Sequence, residues 1–213
     1  MGFLDSPLWQ FDRPLVKEYQ LVAGVDEAGR GPLAGPLVAA AVIWQGPPDC
    51  ECPVNDSKKL SARKREALYQ IIVRDATAWG VGIVTVREIN RRSMHQATFL
   101  AMQRALRALS VSPRLVLVDG LWTVPRIPLC QRAIVAGDGQ SACIASASIL
   151  AKVTRDRMMK ALDRKHPGYG FAKHKGYATP EHLAALERLG PCVAHRANFR
   201  RVRDRYDGLF PAG

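Results

Sequence analysis

Short apolar runs alternate with longer amphipathic stretches along this chain. Five runs rich in Val, Ile or Ala are bounded by turn formers or charges, which predicts strands. These strands are expected at residues 20–25, 36–44, 79–86, 114–118 and 131–136. Stretches with apolar residues at helical spacing lie between and after them, and each opens on a Ser or Thr that can cap a helix. These helices are expected at residues 61–75, 93–109, 141–164 and 179–190.

The order of these elements predicts a mixed sheet. The sequence between the first strands is too short for a helical crossover, so these strands should pair antiparallel. The later strands alternate with helices and should run parallel. We therefore expect an α/β fold, in which helices flank a five-stranded mixed sheet and a helical C-terminal region follows.

The composition favours one sizeable core and a polyanionic partner. The chain has 213 residues, 47% of them hydrophobic, which argues against disorder. Its net charge is +12, and residues 151–213 carry +8 of it. Such a basic protein is typical of nucleic-acid binders or of proteins on anionic membranes, and a generic solubility charge is the alternative.

The cysteines and the hydrophobic profile narrow the compartment. The five cysteines are an odd number and form no C-x-x-C pair, which favours reduced thiols over disulfides or a metal centre. No apolar stretch is long enough to span a membrane, and the N-terminus lacks the order of a secretion signal. We therefore expect a cytoplasmic protein with no membrane partner.

The end of the first strand carries the strongest chemical signal. The apolar run Leu21–Val25 ends in Asp26 and Glu27, and Gly29-Arg30-Gly31 follows after one residue. Carboxylates at the end of a buried strand need a compensating cation, and hard divalent metals suit them. The glycines let another backbone approach closely, and the arginine offers a forked donor to a phosphate. A metal site beside a phosphate cradle indicates phosphoryl-transfer chemistry.

Two later apolar runs also end in an acid next to a glycine. These acids are Asp119 and Asp138. Because sites form at the carboxyl ends of parallel strands, both can converge with Asp26 and Glu27. Crowded carboxylates repel unless Mg²⁺ or Mn²⁺ lies among them, and a pair of such ions can hydrolyse a phosphodiester. For Asp119 and Asp138 the alternative is a turn former or a helix cap.

Two further segments fit a nucleic-acid groove. Lys58 and Lys59 precede a predicted helix, where they can contact phosphates. Residues 171–177 interleave aromatic and basic side chains, as a stacking surface does. Solvated loops are the alternative for both segments. His174 and His195 are expected to be structural or to face a phosphate, rather than to bind metal.

Taken together, these motifs resemble ribonuclease HII, the bacterial type 2 ribonuclease H. They follow the order of that family over about residues 20–200. The segments that carry the resemblance are Gly24–Pro36, Asn55–Leu60, Val118–Gly120, Gly137-Asp138, Ala147–Asp156, Tyr169–Tyr177, Gly190-Pro191 and His195-Arg196. The chain departs from the family at Ser146, where Ala is usual, and at Leu121-Trp122, where a polar residue is common.

The resemblance implies a ribonuclease H-like fold and endonucleolytic cleavage of RNA in RNA–DNA hybrids. It also implies nicking of duplex DNA on the 5′ side of a single embedded ribonucleotide, which leaves a 3′-hydroxyl and a 5′-phosphate. Asp26 would bridge two Mg²⁺ or Mn²⁺ ions, with Glu27, Asp119 and Asp138 completing their shell. A related DNA junction nuclease and a non-catalytic hybrid-binding module are the alternatives.

The resemblance also implies how the ribonucleotide is recognised. Gly29-Arg30-Gly31 would sense the ribose 2′-hydroxyl, the group that distinguishes RNA from DNA. Tyr177 would stack on the following deoxyribose, and Tyr169 competes for that role. Lys58, Lys59 and His174 would add substrate contacts. Asp156 lies beside Arg155 and Arg157, so a structural ion pair is expected rather than a fifth metal ligand.

We divide the chain into three parts. Residues 1–19 are expected to be a loose leader, with Trp9 and Phe11 packing on the body. Residues 20–165 form the catalytic core, and residues 166–213 form a helical substrate-binding region packed on it. Nothing in the sequence demands a dimer, so a monomer is expected. Leu209-Phe210 near the end of the tail either docks on a replication sliding clamp or belongs to a frayed terminus.

Overall fold

The computed structural model describes residues 6–46 and 60–205. Five strands run over Val22–Ala28 (β1), Leu37–Trp44 (β2), Ala78–Val84 (β3), Leu115–Asp119 (β4) and Cys130–Ile134 (β5). The longer helices are Pro7–Tyr19 (α1), Ala62–Asp75 (α2), Met94–Arg107 (α4), Ala142–Lys165 (α5) and Pro180–Leu189 (α7). Short helices occupy Val86–Ile89 (α3), Phe171–His174 (α6) and Arg200–Arg203 (α8), and a 3₁₀ turn occupies Gly137–Gly139.

The sheet has the mixed order β3-β2-β1-β4-β5. The β1–β2 and β2–β3 pairs are antiparallel, whereas β1–β4 and β4–β5 are parallel. This arrangement confirms the predicted α/β fold with its five-stranded sheet. Val25 of β1 pairs with Val118 of β4, so the residues that follow them, Asp26 and Asp119, reach the same edge of the sheet.

Helices cover both faces of the sheet. β2 is buried along its whole length, with Ala39 and Ala41 in the cluster under α4 and Ala40 in the cluster under α5. This alternation is the period-2 pattern of a strand. Glycine permits the closest approach at Gly24, where a Cβ would lie 2.1 Å from the carbonyl carbon of Cys143. The first turn of α5 therefore lies directly against β1, just before the acids.

The C-terminal helices pack on α5 and on the loop after β1. Phe171, Leu186 and Val202 form a cluster of buried residues with Leu33 of that loop and Met159 of α5. Residue 165 as a boundary between two parts of the chain stays a prediction, since the cluster draws on both sides of it.

The expectation of a loose leader is wrong for residues 7–19, which form α1. Leu8, Trp9 and Asp12 are buried there, and Phe11 packs against a neighbouring cluster. The Asp12 carboxylate accepts a hydrogen bond of 2.8 Å from the Cys143 backbone N–H in the first turn of α5. Burial raises the pKa of Asp12 to about 6. Two prolines, Pro7 and Pro14, obscure the helical pattern of this segment.

The other element boundaries differ by a few residues. β3 ends at Val84 and α3 begins at Val86, because Thr85 and Glu88 form a capping box that starts a helix where the strand was expected to continue. The short helices α6 and α8 were not predicted. None of the helices within residues 6–46 and 60–205 is long and apolar enough to cross a membrane.

Candidate active site

Three of the predicted acids meet at the sheet edge formed by β1 and β4. Asp26, Glu27 and Asp119 line one cavity of about 330 Å³, together with Ser148 of α5. Asp26 is 5% exposed, and its Oδ1 accepts a 2.6 Å hydrogen bond from the Glu27 backbone N–H. The parallel pairing of β1 with β4 thus brings together residues that lie more than ninety positions apart in the sequence.

Burial and mutual repulsion control the charge of these acids. Burial raises the pKa of Asp26 well above its ordinary value, and repulsion from Glu27 and Asp119 raises it further. Burial also raises the pKa of Glu27, against the opposing effect of Arg30. Three carboxylates in this position favour either a shared proton or a bound cation.

The donor set fits hard divalent cations, because carboxylate oxygens are the ligands that Mg²⁺ and Mn²⁺ prefer. Two of the acids are presently turned to protein donors. Glu27 Oε1 lies 3.3 Å from Arg30 Nη1, and Asp119 Oδ1 accepts a 2.7 Å bond from the Gly137 backbone N–H. Within the described residues, no three Asp, Glu, His or Cys side chains are arranged around a common metal position. Repulsion among the three acids is what a cation would relieve.

Asp138 lies at the same corner but outside this cavity. It belongs to the 3₁₀ turn, is 3% exposed, and does not line the cavity. Its neighbour Gly137 holds Asp119 through the backbone bond described above. Asp138 thus follows directly after the residue that holds Asp119, and its role in the site stays a prediction.

Two buried arginines, Arg155 and Arg196, hold the loop after β1 through hydrogen bonds to its backbone carbonyls. Arg196 donates to the carbonyls of Gly29, Arg30 and Gly35 at 2.6 to 3.0 Å. Arg155 lies under Gly29, where a Cβ would be 2.2 Å from its Nε. Gly29 also has a φ of +101°, which only glycine adopts readily. The side chain of Arg30 remains half-exposed over the cavity.

Tyr177 completes the opposite wall of the cavity. Tyr177 is 45% exposed, and a Cβ on Gly31 would lie 3.8 Å from the Cε1 atom of its ring. Tyr169, the competitor for the stacking role, is 8% exposed and donates its hydroxyl to the Gly190 carbonyl at 2.7 Å. Of the two tyrosines, Tyr177 is the one that lines the cavity.

His174 is buried behind Tyr177 and does not reach the cavity. Its Nδ1 accepts from the Gly176 backbone N–H at 3.1 Å, and its Nε2 lies 2.7 Å from the Tyr169 carbonyl. Both ring nitrogens are therefore used inside the protein, which corrects the expectation that His174 contacts substrate. It supports the Tyr177 loop, and His182 does the same through a 2.8 Å contact between its Nδ1 and the Tyr177 carbonyl.

Several residues that line or support the cavity were not predicted as site residues from the sequence. Arg65, Ser148, Lys152 and Arg155 line the cavity, and Arg196 fixes its loop. An arginine in the apolar stripe of a helix is the one available signal, and Arg155 lies in such a stripe with Ala151 and Met159.

Asp156 pairs as expected, but with a different partner. It accepts from Lys152 Nζ at 2.7 Å, while Arg157 pairs with Glu66. Arg155 is turned inward to backbone carbonyls instead. Lys58, Lys59 and the tail segment Leu209-Phe210 lie outside the described residues.

Known proteins resemble this chain over nearly its whole length. The sequence model described as ribonuclease HII matches residues 23–203. A ribonuclease HII from Geobacter metallireducens is 53% identical over 202 residues, 94% of this chain and 93% of that protein. The ribonuclease H2 structure from Pyrococcus horikoshii has a TM-score of 0.74 at 29% identity, covering 86% of this chain and 96% of that one. A structure of ribonuclease HII with PCNA from Archaeoglobus fulgidus has a TM-score of 0.72 at 27% identity, covering 84% and 95%.

Proposed function

The chain belongs to the ribonuclease HII family of endoribonucleases, which act on RNA–DNA hybrids, and we propose that it also nicks duplex DNA at single ribonucleotides. The cut falls on the 5′ side of the ribonucleotide and leaves a 3′-hydroxyl and a 5′-phosphate. One observation carries this proposal: a single cavity is lined by three acids, by Gly29-Arg30-Gly31 and by Tyr177. Groups for cutting and groups for reading a sugar thus face the same space.

Asp26, Glu27 and Asp119 are the residues that we propose to hold two divalent ions, with Asp138 of the adjoining turn completing the set. Bound Mg²⁺ or Mn²⁺ would supply an activated water and would stabilise the leaving oxygen. The protein keeps Asp26 buried and fixed by the Glu27 backbone N–H. If Glu27 turned toward the divalent ions, it would lose its contact with Arg30. The Arg30 guanidinium would then be free to bind a substrate phosphate.

The distinction between ribose and deoxyribose is proposed to lie between Gly31 and Tyr177. Gly31 carries no side chain where a Cβ would approach the Tyr177 ring, which leaves room for a sugar. Arg196 fixes the backbone of residues 29–30 from below, so the loop is preorganised before substrate arrives. A 2′-hydroxyl contacts this fixed loop, while Tyr177 packs on the following deoxyribose.

The basic charge supports a nucleic-acid substrate. Arg65 and Lys152 line the cavity beside the acids, and the chain carries a net charge of +12. Lys58 and Lys59 are proposed as further phosphate contacts, because they precede Ser61, which caps α2, and Arg65 lies in the first turns of that helix. Salt should therefore weaken substrate binding steeply.

The test is a labelled duplex with one ribonucleotide, incubated with Mg²⁺, with Mn²⁺ or with a chelator, and with the cut mapped. We expect one cut on the 5′ side of the ribonucleotide in the presence of either ion, and none in an all-DNA duplex. Equal cutting of an all-DNA junction would instead identify a junction nuclease. Binding without cutting under every condition would identify a non-catalytic hybrid-binding module.

We further propose that the enzyme is a monomer in the cytoplasm. In that reducing compartment Cys130, Cys143 and Cys192 can remain free thiols, as they are in this structure. Gel filtration should give the mass of one 23.5 kDa chain.

The second contextual proposal is a sliding clamp as partner, through Leu209-Phe210. The Archaeoglobus protein was solved together with PCNA, which motivates the test. Loss of clamp binding after deletion of residues 207–213 would support docking, and unchanged binding would leave a frayed terminus.

A further inference from the structure

A second cavity, of about 240 Å³, adjoins the proposed active site. Glu27, Arg30 and Asp119 line both cavities, and they are the only described residues that do so. The first cavity continues toward Tyr177, whereas the second continues toward Trp122 and Leu121. The cutting groups thus lie between two separate spaces, each with an exposed aromatic side chain.

Trp122 is held in an exposed position. It is 62% exposed, and Leu121 beside it is 70% exposed. The loop that carries them is tied down by Gln131, whose side chain accepts from the Val124 N–H at 2.8 Å and donates to the Val124 carbonyl at 3.0 Å. Gln103 of α4 donates to the Pro125 carbonyl at 2.7 Å. An apolar pair kept in water on a fixed loop points to a ligand.

Aromatic side chains of α4 support Trp122. The His95 ring meets the Trp122 ring edge-on at 6.1 Å, and Phe99 meets His95 in the same way at 4.5 Å. The indole therefore has a fixed neighbour on one side and open space on the other. Such a surface suits the apolar face of a ring, such as a sugar or a base.

We propose that Trp122 packs on the sugar of the nucleotide on the 5′ side of the cut, as the counterpart of Tyr177 on the 3′ side. This inference rests on the proposed function. A strand whose scissile phosphate lies at Glu27, Arg30 and Asp119 enters through one cavity and leaves through the other, and Tyr177 takes the 3′ side. A sugar is favoured over a base, because the bases of an intact duplex are already stacked and paired, whereas the minor groove displays sugars.

The experiment compares wild-type protein with Trp122→Ala on three ribonucleotide-containing duplexes. The nucleotide on the 5′ side of the ribonucleotide is a normal deoxynucleotide, an abasic tetrahydrofuran, or a three-carbon spacer that has neither sugar nor base. We expect Trp122→Ala to lower kcat/KM about tenfold on the first two duplexes. On the spacer duplex the two proteins should be equal, because the sugar is gone.

Any other pattern of results contradicts the inference. If the loss of kcat/KM in Trp122→Ala vanishes on the abasic duplex, Trp122 contacts the base. If the loss persists on the spacer duplex, Trp122 contacts the other strand or the variant has a structural defect. No penalty on any duplex removes Trp122 from substrate binding. Binding of the same duplexes in chelator gives the same comparison without cleavage. Absence of cleavage by wild type would therefore contradict the proposed function, while the binding data would still decide this inference.

Matched variants separate recognition from folding. Trp122→Phe should stay within about twofold of wild type on every duplex, because a smaller aromatic ring keeps the contact. Trp79→Ala removes a 37% exposed tryptophan of β3 that lines neither cavity. Its kcat/KM should equal that of wild type on all three duplexes. Thermal melting of each variant confirms that the compared proteins are folded.

Discussion

Two groups of buried charge meet at the loop after β1, and the protein treats them in opposite ways. Arg155 and Arg196 lie beneath the loop and donate to backbone carbonyls, among them those of Pro36 and Gly35. Asp26, above them, has Glu27 and Asp119 as neighbours, and their repulsion raises its pKa beyond the effect of burial. Burial lowers the pKa of Arg196 to about 9, with repulsion from Arg155 as the next cause, and its charge survives at neutral pH.

The difference separates structural charge from functional charge. A buried arginine that donates to several carbonyls recovers much of the cost of leaving water, and removing it leaves those carbonyls without a donor. A carboxylate that is buried among other acids destabilises the fold and persists where chemistry requires it. We therefore expect the arginines to control stability and the acids to control catalysis.

Asp26→Asn should produce the largest effect. The substitution keeps the shape of the side chain but removes the charge that would hold the ions, so cleavage should fall by at least about a thousandfold. The melting temperature should be unchanged or higher, because the repulsion from Glu27 and Asp119 is relieved. Single-turnover cleavage and thermal melting measure the two quantities. Normal cleavage by this variant would remove Asp26 from the catalytic set.

Arg196→Met should have the opposite profile. It leaves the carbonyls of Gly29, Arg30 and Gly35 without their buried donor, which should cost about 3 to 5 kcal/mol in the free energy of unfolding. Urea unfolding measures this loss. Arg201→Met, which removes an exposed arginine of α8, is the control and should cost less than about 0.5 kcal/mol. Equal losses in both variants would contradict the structural role of Arg196.

Acid should destabilise the region behind Tyr177. Burial lowers the pKa of His195 to about 4, with His182 as the next cause. The unfolded chain, in which the pKa is about 6.5, binds a proton that the folded chain excludes. This contribution is complete above about pH 6.5 and is lost as the pH falls toward 4, by up to about 3 kcal/mol.

Asp12 acts with the opposite sign over part of that range, because its raised pKa favours the folded state at lower pH. The comparison therefore uses an Asp12→Asn background, with and without His195→Gln, in urea unfolding at several pH values. The slope between pH 4 and 6.5 should flatten when His195 is replaced. An unchanged slope would show that His195 does not cause it.

Asp156→Asn should give the smallest effect. Its pair with Lys152 is partly exposed, so the loss of stability should be below about 1 kcal/mol. Cleavage should remain within about twofold of wild type, since Asp156 does not line the cavity of the acids. A large loss of cleavage with an unchanged melting temperature would instead indicate that Asp156 is a metal ligand.

The acid group was predictable because its position follows from local patterns. An apolar strand that ends in an acid is visible in the sequence, and parallel pairing then brings Asp26, Glu27 and Asp119 to one edge. Asp138 follows the same pattern, but the chain turns before it, and it lies outside the cavity. The pattern alone does not distinguish these two outcomes.

The arginine group was not predictable in the same way. The carbonyl partners of Arg196 lie about 160 positions earlier, and any residue type has a carbonyl, so no pairing pattern appears in the sequence. His174 shows the same limitation. Its basic sequence neighbours suggest an exposed segment, but its ring is buried and contacts the backbone of Gly176 and Tyr169. The helix α1 was missed because its stabilising contact, from Asp12 to Cys143, is equally distant.

The most direct test of the central claim is the effect of Mn²⁺ on the melting temperatures of wild type and Asp26→Asn. At a Mn²⁺ concentration about a hundredfold above its Kd, binding of one ion should stabilise the wild type by about 2.7 kcal/mol. This raises the melting temperature by roughly 5 to 10 °C. Asp26→Asn should melt no lower than wild type in chelator and should gain almost nothing from Mn²⁺. Glu181→Gln, which alters an exposed acid of α7, should respond as wild type does. An equal Mn²⁺ shift in Asp26→Asn, or a lower melting temperature in chelator, would contradict the claim that these repelled acids form the metal site.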